Sequence, residues 1–177
     1  MVLDLGCRID FMRIVIDGYN LIRRIPELRA LDRDDLESGR VGLASELSTY
    51  RAGKGHQILV VFDGADSVHL GGGSEKVAGI ALRYSARGQT ADQVIQKMCR
   101  EGQADLIVSG DREITDVARR AGVTAVSPDL FWDKVQEEMY RRFKGEEEPE
   151  EEKRGKGEKG RKLSRDQRRD RGRIERL

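Results

Sequence analysis

The chain has 177 residues, 37% apolar, 37% charged and 5% aromatic, with 33 Lys and Arg against 32 Asp and Glu. That suits one small folded domain with polar sequence to spare and leaves no room for a second large one. The longest apolar runs, Ile14 to Ile16 and Ile58 to Phe62, fall far short of the roughly 20 residues that span a bilayer, and no signal-peptide core opens the chain; a cytoplasmic protein without membrane contact is expected.

Met1 to Phe11 read as a short N-terminal arm, ahead of a domain over 12–144. The β-branched run Ile14 to Ile16, ended by Asp17-Gly18, predicts a buried strand meeting a turn. Asp34-Asp35-Leu36-Glu37 resembles a capping box, and Leu36, Val41, Leu43, Ala44, Leu47 and Tyr50 follow at helical spacing up to Gly53. Gln57 to Phe62 predicts a second strand, stopped by Asp63-Gly64. A Gly-rich loop over 64–79 precedes a weaker strand around Ile80 to Tyr84. Thr90-Ala91-Asp92-Gln93 is a capping box that opens a helix and sets Asp92 in its first turn. Leu106 to Val108, closed by Ser109-Gly110-Asp111, is a further strand with a helix after it. Val123 to Val126 and a helix opened by Ser127-Pro128 complete the series. Strands alternating with helices predict right-handed βαβ units and a mainly parallel sheet covered on both faces.

The net charge of +1 hides a segregated C-terminus. Six glutamates occupy 146–152, while 153–177 carries 12 basic and 4 acidic residues. With so few apolar side chains, 145–177 is expected to be disordered. It reads either as a solubilising tail or as a basic arm drawn to RNA phosphates.

In an open parallel sheet, ligands bind outside the carboxyl ends of the strands, where the strand order reverses. Asp17 ends the first predicted strand, Asp63 the second, Asp111 follows the fourth, and Asp92 begins the helix after the third. These acids therefore project toward one rim. Crowded carboxylates repel unless a cation neutralises them, and Mg²⁺ is commonly held by one or two carboxylates together with substrate phosphate oxygens. The constellation reads as a nuclease. For each acid a helix cap or turn is the competing reading, and for Asp63 the turn is favoured.

Other chemistries lack their motifs. There is neither GxxxxGK[ST] nor GxGxxG. Cys7 and Cys99 form no CxxC pair, and His56 and His69, read as surface loop residues, have no nearby Cys or His to share a metal.

Ile14-Val15-Ile16-Asp17-Gly18-Tyr19-Asn20, Val60-Val61-Phe62-Asp63-Gly64, Thr90-Ala91-Asp92, Val108-Ser109-Gly110-Asp111 and Ala121-Gly122-Val123 before Ser127 together resemble, in order, the YacP-like branch of the NYN family, one of the PIN-like nucleases. The resemblance implies a three-layer α/β/α fold with a central parallel sheet ordered 3-2-1-4-5. It also implies a Mg²⁺- or Mn²⁺-dependent endoribonuclease connected, in bacteria, with cleavage of mRNA on the ribosome. Carried over by position, Asp17 and Asp92 are the principal metal-holding acids and Asp111 the third. Asn20 orients a carboxylate or contacts phosphate, or else makes an Asx turn. Two departures stand out: Gln96 occupies a position where the family often has an acid, and Ser109-Gly110-Asp111 replaces Thr-Ser-Asp.

Arg87, three residues before the Thr90 cap, is the first candidate for the RNA backbone, ahead of Arg23, Arg24 and Arg112. Tyr19 either stacks a base or packs beneath the loop. The expected activity is hydrolysis of RNA to products with a 5′-phosphate and a 3′-hydroxyl. The alternative is an RNA- or ribosome-binding module that keeps the fold without cutting, and a small-molecule phosphatase is a weaker third.

Overall fold

The computed structural model describes residues 11–64, 72–145 and 164–177. Its centre is β1 (Arg13–Asp17), flanked in parallel by β2 (Gln57–Phe62) and β5 (Leu106–Val108). β4 (Ile80–Tyr84) lies parallel beside β2, and β6 (Thr124–Val126) beside β5. These five strands take the expected order. A sixth, β3 (Gly73–Val77), pairs antiparallel with β4 at the edge, so the full order is β3-β4-β2-β1-β5-β6.

β3 arises from the segment expected to be a loop. Its Gly-Ser-Glu-Lys-Val sequence is exposed along most of its length and lacks the alternation that marks a half-buried strand. What sets it is the two-residue turn Ala78-Gly79, both with positive φ (49° and 82°), the combination that matches the twist of a hairpin.

The helices form two layers. On one face lie α1 (Gly18–Arg24), α2 (Pro26–Asp34), α3 (Leu36–Lys54) and α6 (Pro128–Lys144). On the other lie α4 (Ala91–Arg100) and α5 (Arg112–Arg120). The first layer buries Leu21, Leu43, Leu47, Tyr50 and Phe131 against Ile14, Ile16 and Val60. The second buries Val94, Ile95, Ile114 and Ala118 against Val15, Val61 and Ile107. Alternate residues of each central strand thus feed opposite cores.

The turn expected at Asp17-Gly18 is instead the start of α1. Asp17 caps that helix, and Gly18 lies flat against the Phe62 ring, where a Cβ would collide with the ring carbons. α3 begins at the predicted place, with Asp35 Oδ2 accepting from the Ser38 amide at 2.9 Å. It passes through Gly53, whose missing Cβ makes room for Glu138 of α6, and stops at Gly55 in the left-handed conformation (φ 70°).

The C-terminus corrects the expectation of a tail disordered from 145 to 177. α7 (Arg165–Glu175) opens with a Ser164/Gln167 capping box and docks at the base of the sheet. Tyr50 Oη donates to the Leu177 carbonyl at 2.7 Å, and Arg173 donates to the Asp105 carbonyl at 2.8 Å. Thr124 Oγ1 donates to Asp170 at 2.7 Å. Leu177 is buried and Ile174 packs on the core. Two apolar side chains are few, but satisfied carbonyls and a half-buried guanidinium supply what composition alone does not reveal. The glutamate run, the Met1 to Asp10 part of the arm, Cys7 and His69 lie outside the described residues.

His56, expected at the surface, is buried. Its Nδ1 accepts from the Met12 amide at 3.4 Å, which leaves Nε2–H to donate to the Arg176 carbonyl at 3.2 Å. Cys99 is buried in the second core, and burial pushes its thiol up to about 11, so it stays protonated. No helix among the described residues is long and apolar enough to cross a membrane.

Candidate active site

After β1 the chain proceeds on one side to β2 and β4, then returns to β5 on the other. The reversal falls between β1 and β5, and their carboxyl ends carry Asp17 and Ser109-Gly110-Asp111. The acids flank the crevice that this topology opens.

Asp17 is only 8% exposed. Its Oδ1 accepts from the Asn20 amide at 3.2 Å, and its Oδ2 from the Ser109 hydroxyl at 3.3 Å. Ser109 Oγ in turn accepts from the Asp111 amide at 3.1 Å, so one hydroxyl ties the buried carboxylate to the loop after β5. Asn20 makes a second tie across the same gap, its Oδ1 accepting from the Gly110 amide at 3.0 Å. A Cβ on Gly110 would sit 3.2 Å from that oxygen, so the close approach favours glycine. Asn20 therefore spans two strand ends and not a local Asx turn.

Asp111 caps α5, with Oδ1 accepting from the Glu113 and Ile114 amides at 2.7 and 3.3 Å. Its other oxygen has no hydrogen bond among the described residues. Asp92 lies half-buried in the first turn of α4, behind the Thr90 capping box. Asp63, read from sequence as a turn residue, reaches a partner far along the chain: its Oδ1 accepts from the Ala91 amide at 2.9 Å and from the Ser85 hydroxyl at 3.3 Å. The end of β2 thereby fixes the start of α4, and with it Asp92.

These carboxylates feel one another. Burial raises Asp17, the Asn20 and Ser109 hydrogen bonds pull it back, and the charges of Asp92 and Asp63 push further, leaving it at about 6. Asp92 is raised by burial, then by the charges of Asp111, Asp63 and Glu113. Among the described residues no Lys or Arg pairs with any of the four aspartates. Hard anionic oxygens without a cation are the donor chemistry that suits Mg²⁺ or Mn²⁺. As the side chains stand, however, no three Asp, Glu, His or Cys groups among the described residues converge closely enough to hold an ion.

The remaining candidates divide. Tyr19 is packed: its ring meets Phe62 edge-on at 5.0 Å, and its hydroxyl accepts from Arg40 at 3.1 Å. The ring packs against Phe62 as in the packing alternative, and its half-buried position leaves part of it exposed. Arg87 is exposed in the loop between β4 and α4, while Arg24 stands beside Gly110. Gln96 accepts from Arg100 at 3.1 Å within α4. Sequence reading passed over Ser85 and Glu113. Ser85 accepts from the Gly64 amide at 3.0 Å while donating to Asp63, a link whose ends lie 21 residues apart and leave no local signal.

Comparison with known proteins identifies the family and the fold. Residues 14–176 match the YacP-like NYN domain, a span that includes α7. The protein YacP of Bacillus subtilis (strain 168) is 30% identical over 90 residues, 49% of this chain and 51% of that protein; the chain thus matches about half the length of that relative. Two crystal structures of Rae1 (YacP) from Bacillus subtilis share the fold. One, of a mutant form, gives a TM-score of 0.63 at 21% identity, covering 76% of this chain and 80% of that one. The other gives 0.62 at 20% identity, covering 75% and 78%. With a match over nearly its whole length, the chain belongs to the YacP-like NYN domain family.

Proposed function

We propose that this protein is a divalent-metal-dependent endoribonuclease, with RNA on the ribosome, mRNA above all, as its substrate. The observation that carries the reading is the electrostatic coupling of Asp17, Asp63, Asp92 and Asp111 at the reversal point of the sheet. Like charges held together without a counter-charge cost stability, and that cost is understandable where a cation and a phosphate meet them in use.

Asp17, Asp92 and Asp111 are the acids offered to Mg²⁺ or Mn²⁺, which would have to draw them closer together than they stand. When bound, the ion supplies charge neutralisation of the phosphate and a lowered pKa for an attacking water. The chain's own contribution is positional. Ser109 and Asn20 hold the loop after β5 against Asp17, Asp63 fixes α4, and Arg24 and Arg87 offer cations to the RNA backbone on either side.

Purified protein incubated with RNA and Mg²⁺ or Mn²⁺ should release fragments with 5′-phosphate and 3′-hydroxyl ends. Asp17→Asn and Asp92→Asn should each lower the rate by roughly 100-fold or more, and cleavage that persists in both variants sinks the assignment. A second reading is supported by Gln96 and by the lack of a converged acid trio among the described residues: an RNA- or ribosome-binding module without hydrolysis. Salt-dependent RNA binding with no cleavage in either metal would favour it.

A further inference from the structure

The second helical layer does not cover the whole sheet. α4 packs on β1 and β2, and α5 on β6. Among the described residues the connection from β2 to β4 contributes the strand β3 in place of a helix. Among the described residues, then, no helix covers the face of β2, β4 and β3 on the α4 side. Leu59 and Ala81 are half-buried on it, while Ser74, Lys76 and Arg83 are exposed. Register puts them together: Leu59 pairs with Ala81, Ala81 with Lys76, and Arg83 with Ser74.

Two clefts, of about 600 and 400 Å³, occupy this face and share Leu59 and Ala81 as floor. Among the described residues, neither is lined by an Asp or Glu. The larger is bounded by Ala86 and Gln89, next to the Thr90 cap of α4, so it opens toward the rim that carries Asp92. The smaller ends at Arg51, which donates to the Gly79 carbonyl at 3.0 Å. Arg83 and Lys76 have no ion-pair partner among the described residues. They are diagonal neighbours on paired strands, their backbone positions roughly 7–8 Å apart on the same face. Cations on a face without acids among the described residues suit single-stranded nucleic acid, whose phosphates meet the charges.

From these observations we propose that this face of β2, β4 and β3 is a binding cleft for a single-stranded stretch of RNA flanking the cut, held by Lys76 and Arg83 and led past Gln89 to the acid rim. This rests on the ribonuclease reading above and adds the path of the substrate.

The test is fluorescence anisotropy of a labelled single-stranded RNA dodecamer with the full chain carrying Asp92→Asn, across a salt series. Adding Lys76→Glu with Arg83→Glu should weaken binding by roughly 10-fold or more. The neutral pair Lys76→Ala with Arg83→Ala should weaken it by a smaller factor and flatten the logarithmic salt slope by about 1.4, the value for two phosphates on a single strand. Arg29→Glu with Arg33→Glu, exposed on α2 in the other layer, should leave affinity within about twofold. Unchanged binding in the cleft variants, an equal loss in the α2 control, or no RNA binding by the parent overturns the cleft. So does a parent dimer that the cleft variants dissolve with RNA affinity intact, which would give the face to a second copy. A parallel cleavage assay of the wild-type chain separates the two readings. Cleft-dependent binding without cutting sinks only the catalysis, and cutting that ignores the cleft variants sinks only the cleft.

Discussion

Asp17 is the residue on which stability and chemistry pull in opposite directions. Its folded carboxyl titrates at about 6 against an ordinary 3.8, so the folded chain holds that proton more tightly than the unfolded chain does. Folding is penalised progressively as pH climbs through this window, and the penalty is complete above it. Asp17→Asn removes the charge while an amide oxygen can still accept from Asn20. The variant should therefore melt higher than wild type at about pH 7.5 without divalent ions, by about 2 kcal/mol, and the advantage should vanish near pH 4. Calorimetry at the two pH values checks it, and equal melting at the higher pH would mean that the charge is already compensated. The same substitution should lower the proposed cleavage as stated above, a trade of activity for stability that a structural cap would not show.

At the scale of elements, the rim is assembled from helix starts: Asp17 opens α1, Asp111 opens α5, and Thr90 opens α4 just ahead of Asp92. Thr90→Ala should cost about 1 kcal/mol, seen as a melting temperature lower by roughly 2–4 °C; an unchanged value would mean that Asp63 alone secures α4 through the Ala91 amide. Caps and apolar runs are local, which is why β1, β2, β4, β5, β6, α4 and the acids at the strand ends can be read from sequence. α1 and α2 are harder to see. α1 starts directly on the strand's last residue, and α2 has no side-chain cap and buries only Leu28. β3 depends on a partner strand and a turn, and Asp63 on an amide 28 residues away. Such links exist only after the chain has folded.

Across the whole molecule, the two ends of the sheet carry different duties. The carboxyl ends hold the acids, and the opposite ends are sealed by α7 through Tyr50, His56, Asp105 and Thr124. Ending the chain after Gly145 should lower stability by about 2–4 kcal/mol through the loss of buried apolar surface and hydrogen bonds. Cleavage of a short RNA by the surviving folded fraction should change by less than about threefold, because the acids lie at the far end. Thermal melts alongside initial rates check both halves, and an unaltered melt would contradict the docking of α7. The docking of α7 escapes composition because, among the described residues, its aliphatic anchors are just Ile174 and, beyond its end, Leu177. The edge position of β3 has one more result. Paired with one strand and backed by a helix, α3, on one face alone among the described residues, this strand can unzip while the five parallel strands stay shut. Its amides should therefore take up deuterium orders of magnitude sooner than those of β1, which is walled in on every side.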